Sequence, residues 1–414
     1  MQVFDEAMSR TPDMAHVRRK LRVLVFSTLY PSSARPGHGI FVETRLRQLL
    51  DSGQVEAKVV APVPWFHSTD ERYGERASMA RTPPAEVWNG IDVLHPRYLL
   101  PPRIGQNIAP FVLAAGAGQT LRRLIDDGFD FDLIDAHYYY PDGVAAALLA
   151  RRFGKPLAIS ARGSDLNVLG RYPFARRLMC WAARQAQASI GVSRALVEIL
   201  REWGAPQDRL HVMRNGVDLQ RFVPVEQDAA RRQLGLAGSP LLLSVGNLVE
   251  VKGHGLTIEA LALLSERHPG AQLCIVGEGP LRERLLALAQ QFGVAQRVRF
   301  VGSVANDQLA PWYSAADALV LASRSEGWAN VLLESMACGT PVVATDVGGS
   351  AEVVAEACAG RLVPRRDAQT LANTIEQVLA AASDSREVRR YAERFGWQST
   401  TDAQLALFRR IAPC

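Results

Sequence analysis

The sequence predicts an α/β protein made of two doubly wound parallel-sheet domains in tandem. Three observations carry that expectation. Short apolar runs alternate with longer segments of helical periodicity along most of the chain. Several of those helical segments end on glycine, the usual helix terminator. The scheme then starts again near residue 240, in a chain of 414 residues that is too long for one ordinary core.

Taken in order, residues 1–20 contain no apolar run of signal-peptide length and read as a flexible polar extension. In the first domain, 21–222, the strands are LRVLVFST (21–28), EAKVVAPV (56–63), FDLIDAH (131–137), PLAISA (156–161), ASIGVS (188–193) and LHVMRN (210–215). IFVETRLRQLLDSG, DGVAAALLARRFG and RALVEILREWG are helices between them. Residues 223–239 form a linker with one short helix. The second domain, 240–395, repeats the pattern with PLLLSVG (240–246), AQLCIVG (271–277), RVRFVG (297–302), ADALVLAS (316–323) and TPVVAT (340–345). Residues 396–414 are expected as a helix packing back toward the first domain. Open sheets of this kind bind ligands beyond the carboxyl ends of their strands, so two facing sheets predict a site in the cleft between them.

Composition narrows the class. Hydrophobic content of 48% and charged content of 21% suit a soluble globular protein. The longest apolar stretches, such as IAPFVLAAGAG (108–118), reach about half of the ~20 residues a spanning helix needs. Cys180, Cys274, Cys338, Cys358 and Cys414 are scattered and lack CxxC spacing, which predicts a reducing cytoplasm and no thiolate metal site. The net charge of +5 is uneven: residues 1–222 carry 29 Lys+Arg against 22 Asp+Glu, leaving 18 against 20 in the remainder. A basic first half is read either as solubilising surface charge or as the mark of an acidic partner: a phosphate-bearing substrate, anionic lipid headgroups or nucleic acid. RYPFARRLMCWAARQAQA (171–188) reads either as a core-facing helix with a solvated basic rim or as an interfacial helix on a membrane, and the basic first domain favours the second. On a helix, Phe174, Leu178 and Trp181 share one face, bordered by Arg177 and Arg184, with Arg171 and Arg176 close by. The expected location is cytoplasmic, with peripheral contact to the inner face of the membrane.

The segments that follow strands are the candidate ligand sites. Gly37 and Gly39 precede a helix, where bare amides can approach an anion. Lys252 lies in NLVEVKGHG, in reach of a phosphate. Gly277 and Gly279 form another strand-turn-helix junction. In SEGWANVLLESMACGTPVV (325–343), Gly327 breaks the chain, Asn330 is the expected N-cap, and the helix runs to Gly339. Glu326 then sits on the loop and Glu334 about a turn into the helix, placed to hold opposite ends of one molecule. The acidic DFD at 130–132 precedes its strand, so it is read as solvated charge rather than a metal site.

Together, NGVDLQRF (215–222), GNLVEVKGH (246–254), VGEGP (276–280) and EGWANVLLESMACGTPVVATDVGG (326–349) resemble the retaining glycosyltransferases of family 4. The resemblance runs from about residue 21 to about residue 397. It implies the GT-B fold, two Rossmann-like domains facing an interdomain cleft, with the acceptor on the first and the nucleotide-sugar donor on the second. YPSSARPGHGIFV, HYYYPDGVAAALLARRFGKP and ARGSDLN resemble the bacterial members that build capsule, exopolysaccharide or teichuronic-type polymers.

By that resemblance, Glu334 accepts from the ribose hydroxyls of a UDP- or GDP-sugar. Glu326 holds the transferred sugar and stabilises positive charge at its anomeric carbon. The amides of Asn330 and Val331 face the diphosphate, and Lys252 neutralises it without a metal or other cofactor. Gly39, Asn247, Gly277 and Gly279 join the donor site, and Gly302 to Val304 read the base. His137 contacts the donor sugar beside the reacting carbon; Arg162 and Asp165 are acceptor-side or interdomain residues. The chain departs from the family pattern at Asn247, where arginine is common. Arg162 stands where many members carry histidine, and Trp328-Ala329 replaces the frequent Phe-Gly. The implied acceptor is a lipid-linked glycan, with no nucleic-acid partner. Two alternatives stay open: another GT-B enzyme of the glycogen-synthase kind, or a non-catalytic nucleotide-sugar-binding protein.

Overall fold

The computed structural model describes residues 19–101 and 105–412, so the expected extension falls largely outside the described residues. The first sheet has eight strands in the order Leu210–Val212, Ala188–Gly191, Leu157–Ala161, Leu133–His137, Leu21–Phe26, Val55–Val60, Ile91–Leu94, Ala85–Trp88. All neighbours run parallel except the last pair, an antiparallel hairpin turned by Asn89 (φ 49°) and Gly90 (φ 83°). An Asn-Gly pair with both residues at positive φ is the turn whose twist matches a hairpin. The sequence reading did not include those two strands, although the Asn-Gly signal stands between them.

The second sheet is wholly parallel, ordered Val298–Gly302, Gln272–Val276, Leu241–Val245, Ala318–Leu321, Val342–Thr345, Gly360–Val363. Its strand Gly360–Val363 is a further addition to the sequence reading. Every residue of Leu241–Val245 is buried, as expected of a strand covered by helices on both faces. Each fully buried Leu or Val contributes about 1.5–3 kcal/mol.

The chain passes between the domains twice, and the two passages touch. Val217 N–H donates to Phe395 O at 2.9 Å, and a side chain on Gly216 would meet the Trp397 backbone at 2.7 Å. The helix Trp397–Ile411 then lies against the first domain, with Leu405, Leu407 and Phe408 buried among Val23, Val25 and Leu46.

Two sequence features receive structural accounts. Asp132 accepts from Arg22 N–H at 2.8 Å and Asp130 pairs with Lys155, so the DFD segment ties down the amino-terminal ends of central strands of the first sheet, away from the cleft. The helix Pro173–Gln185 buries Ala175, Met179, Ala182 and Ala183. Leu178 and Trp181 pack half-buried against the core, which corrects the expectation of a free apolar face shared with Phe174. The outward apolar groups are Phe174 and, just before the helix, Tyr172 and Val168. Among the described residues, no helix is long and apolar enough to cross a membrane.

Candidate active site

The turns after three neighbouring strands of the second sheet stack into one wall. Gly277 N–H donates to Gly302 O at 2.8 Å. A Cβ on Gly277 (φ 139°) would lie 2.0 Å from Gly246 O, and one on Gly279 would lie 2.6 Å from Leu248 O. Only glycine lets these backbones approach so closely. Asn247 sits in this wall, its carbonyl accepting from Val249 N–H at 2.8 Å. Val304 is half-buried just beyond Gly302.

Lys252 ends a short helical turn whose next residue, Gly253, opens the helix His254–Arg267. Its Nζ donates to Glu326 Oε1 at 2.8 Å, and Ser323 Oγ donates to the same oxygen at 2.6 Å. The Glu326 carboxylate, 9% exposed, thus receives one cation and one hydroxyl on the same oxygen, Oε1. Behind it, Gly327 touches the first domain: a Cβ there would sit 2.0 Å from Arg162 O, and one on Gly163 would sit 2.8 Å from Gly327 Cα. The cleft is bounded on both sides by bare backbone.

The helix following Glu326 is Asn330–Ala337, with Ala329 at the cap position and no side-chain cap bond. This corrects the expected Asn330 cap. Asn330 is the first helical residue, and its Oδ1 instead accepts from Asn215 Nδ2 across the cleft at 3.2 Å. The amide end of the helix, where Asn330 and Val331 lie, is thus left without a capping side chain, as an anion site requires. Glu334 accepts from Tyr313 Oη at 2.6 Å. Burial pushes its carboxyl above the usual range, opposed by hydrogen bonds from Tyr313 and Asn306 and by the charge of Arg221. The sequence reading missed Tyr313 and Asn306; Asn306 follows a strand of the second sheet, which was the available signal.

On the first domain, Gly39 (φ 72°) opens the helix Ile40–Asp51, with no room for a Cβ against the Leu29 carbonyl. Phe41, its neighbour, lies under the Arg162 guanidinium at 5.4 Å. Asp165 accepts the backbone N–H groups of Gly163 (2.7 Å), Tyr139 (2.8 Å) and Arg162 (3.1 Å). It shapes the turn that presents Arg162. Arg162 donates to His137 Nδ1 at 2.6 Å and to Asn215 Oδ1 at 3.1 Å.

His137 itself is 1% exposed, and its other nitrogen lies 3.3 Å from Asp135 Oδ2. Burial holds its pKa down at about 4, with Asp135 opposing the shift. Both ring nitrogens are engaged, one by Asp135 and the other by Arg162, which follows the neighbouring strand Leu157–Ala161 and also reaches Asn215. Asn215 and a second interdomain contact were also missed. In that contact, Glu352 accepts from Arg194 N–H at 2.6 Å and from Arg214 Nε at 2.8 Å. Arg214 stacks over Trp328 at 5.9 Å. Among the described residues, no group of three or more His, Cys, Asp or Glu is placed to hold a metal.

Comparison with known proteins places this geometry. Residues 226–395 match the model for glycosyl transferases group 1, and residues 75–221 match that for Glycosyltransferase Family 4. A D-inositol 3-phosphate glycosyltransferase of Catenulispora acidiphila is 30% identical over 94% of this chain and 95% of its own. The chain belongs to glycosyltransferase family 4. A Bacillus subtilis protein named for teichuronic acid biosynthesis, TuaC, is 31% identical to this glycosyltransferase over 86% of the chain and 88% of its own. The glycosyltransferase also shares its fold with the sucrose-phosphate synthase of Thermosynechococcus elongatus. The TM-score is 0.76 at 24% identity, covering 95% of this chain and 99% of that one. Anabaena HepE, solved with UDP-glucose, superposes with a TM-score of 0.68 at 22% identity, over 93% and 98% of the two chains. The enzyme therefore has the GT-B architecture of two Rossmann-like domains.

Proposed function

We propose that this glycosyltransferase moves a sugar from a UDP- or GDP-sugar to a lipid-linked glycan, with retention of anomeric configuration and without a metal, in cell-surface polysaccharide synthesis. The observation that supports this most is the Lys252–Glu326 pair beside the uncapped start of helix Asn330–Ala337. A diphosphate at that helix end competes for the Lys252 ammonium. Glu326 is then released toward sugar hydroxyls, where its charge opposes the positive charge that develops at the anomeric carbon. Glu334, held by Tyr313, is placed to accept from ribose, and the glycine wall leaves its backbone open to the base. Retention without a carboxylate nucleophile follows a same-face course, in which the departing phosphate takes the acceptor proton.

The acceptor reading draws on the basic first domain and on Phe174, Tyr172 and Val168, which stand exposed beside Arg171, Arg176 and Arg177. That surface suits a protein working from the cytoplasm at the inner face of an anionic bilayer. The experiment is a panel of UDP- and GDP-sugars assayed for hydrolysis and transfer in EDTA. Activity with one donor is expected, with Glu326→Gln losing at least 100-fold in turnover and under fivefold in donor affinity. Strict dependence on Mg²⁺ or Mn²⁺, or equal losses in turnover and affinity, would overturn the roles given to Lys252 and Glu326.

A further inference from the structure

Arg45, Gln404, Asp135 and His137 are each about 1% exposed, yet they meet from three separate elements. Arg45, on helix Ile40–Asp51, donates through Nε to Gln404 Oε1 at 2.7 Å and through Nη1 to Met213 O at 3.2 Å. Gln404, on the C-terminal helix, donates through Nε2 to Asp135 Oδ2 at 3.2 Å. His137 Nε2 lies 3.3 Å from that same oxygen.

On its other side the imidazole receives Arg162 Nη2 at 2.6 Å. A guanidinium has only donors, so His137 Nδ1 must be bare and the ring proton must sit on Nε2, directed at Asp135. The chain of contacts continues through Asn215 to Asn330, at the start of the helix beside Glu326. Five hydrogen bonds or close polar contacts thus join the C-terminal helix to the donor-side helix.

An apolar core would hold the C-terminal helix at lower electrostatic cost than two buried guanidinium groups facing one carboxylate. Burial lowers the pKa of Arg45 to about 10 and that of Arg162 to about 9, which leaves both charged at neutral pH. Arg162 Nε, Arg45 Nη2 and Asp135 Oδ1 have no hydrogen-bond partner. Such a costly arrangement points to a geometric task rather than to stability.

We propose that Gln404 and Asp135 are positioning residues for sugar transfer: by fixing the His137 tautomer they aim Arg162 into the interdomain cleft. Arg162 supplies positive charge there from the acceptor domain, facing the donor phosphates across from Lys252. This part rests on the reading of the cleft as a nucleotide-sugar site. The C-terminal helix is then part of the catalytic apparatus through one amide, although it touches no substrate.

The test combines a kinetic split with a spectroscopic signature. In ¹⁵N-histidine-labelled wild-type enzyme, with His137 assigned by its loss in His137→Gln, the ring is expected as the Nε2–H tautomer at neutral pH. A proton on Nδ1 overturns the proposal outright and needs no variant. Gln404→Met, close in size, removes the amide. It is expected to mix the tautomers, and to lower turnover of the donor found active at least tenfold while UDP or GDP affinity stays within threefold. Unchanged turnover with an unchanged tautomer shows a merely structural glutamine and overturns the proposal. Should Gln404→Met fail to fold, Gln404→Glu, which still accepts from Arg45 but cannot donate to Asp135 when ionised, is read in the same two ways. If the wild-type enzyme uses no UDP- or GDP-sugar, the donor reading fails while the tautomer result still decides the positioning role.

Discussion

Glu326 and Glu334 stand eight residues apart in sequence, yet their surroundings set them to different work. Glu326 is matched by Lys252 and Ser323. Glu334 has Tyr313 Oη at 2.6 Å, and burial pushes its carboxyl up. A carboxylate at such a position accepts charge-assisted hydrogen bonds worth roughly 1.5–3 kcal/mol each. Glu334→Ala is therefore expected to weaken UDP or GDP binding about 10- to 150-fold by calorimetry, and unchanged affinity would remove Glu334 from the nucleotide site. Titration gives a second expectation at this scale. Burial lowers the pKa of His254 to about 4, and Ser244 and the Asn247 carbonyl bracket its ring. The unfolded chain takes up a proton near pH 6.5 and the native ring does not. That stability is complete above pH 6.5 and is lost as pH falls toward 4. Asp142 works with opposite sign. Burial raises its carboxyl to about 7, against hydrogen bonds from Thr28. Its contribution is complete below the unfolded carboxylate pKa of about 4 and is lost as pH rises toward 7. In thermal denaturation, His254→Gln should lose part of the acid-side fall in Tm, and Asp142→Asn part of the fall on the neutral side.

At the scale of elements, the helix Pro173–Gln185 shows what periodicity can and cannot settle. Its apolar spacing identified a helix, but Met179 and the small residues Ala175, Ala182 and Ala183, rather than Leu178 and Trp181, form its most buried face. Small side chains let the helix approach the domain closely, and the larger ones flank the contact. Phe174, 46% exposed, and Tyr172, 53% exposed, project beside Arg176 and Arg177. Each arginine at an anionic surface contributes roughly 1 kcal/mol, screened by salt. Arg176→Glu combined with Arg177→Glu should abolish co-sedimentation with anionic vesicles at low salt and leave nucleotide affinity intact. Wild-type protein that ignores such vesicles would show that this helix serves the fold alone. The hairpin at Asn89-Gly90 is the converse case: its turn was legible in two residues, but the four-residue strands on either side are too short to show a period.

Across the whole molecule, the domains are held together by a few contacts of different kinds. Backbone meets backbone at Gly163 and Gly327, Asn215 meets Asn330, and Glu352 grips Arg194 and Arg214. The Glu352–Arg214 pair is partly exposed, so it should contribute about 1 kcal/mol or less. That is enough to shift an open-closed equilibrium about fivefold. Glu352→Gln is expected to lower turnover about two- to fivefold with nucleotide affinity unchanged, and to enlarge the radius of gyration measured by small-angle scattering with UDP present. Identical scattering and turnover would mean that the clasp does not govern closure.

The sequence by itself determined the two-domain α/β scheme, the family, and the neighbourhood of Lys252, Glu326 and Glu334. These are local matters: strand-helix alternation, glycines where backbones must pass closely, and a carboxylate spacing fixed by one loop and one helix turn. Only the tertiary structure decided which groups share an oxygen or a proton. Lys252 reaches Glu326 across 74 positions, and Gln404 reaches Asp135 across 269. No local pattern encodes such pairs, because a side chain's hydrogen-bond partner depends on the packing of distant elements. For the same reason only the fold shows that His137, placed by resemblance beside the sugar, has one ring nitrogen against Asp135 and the other against Arg162.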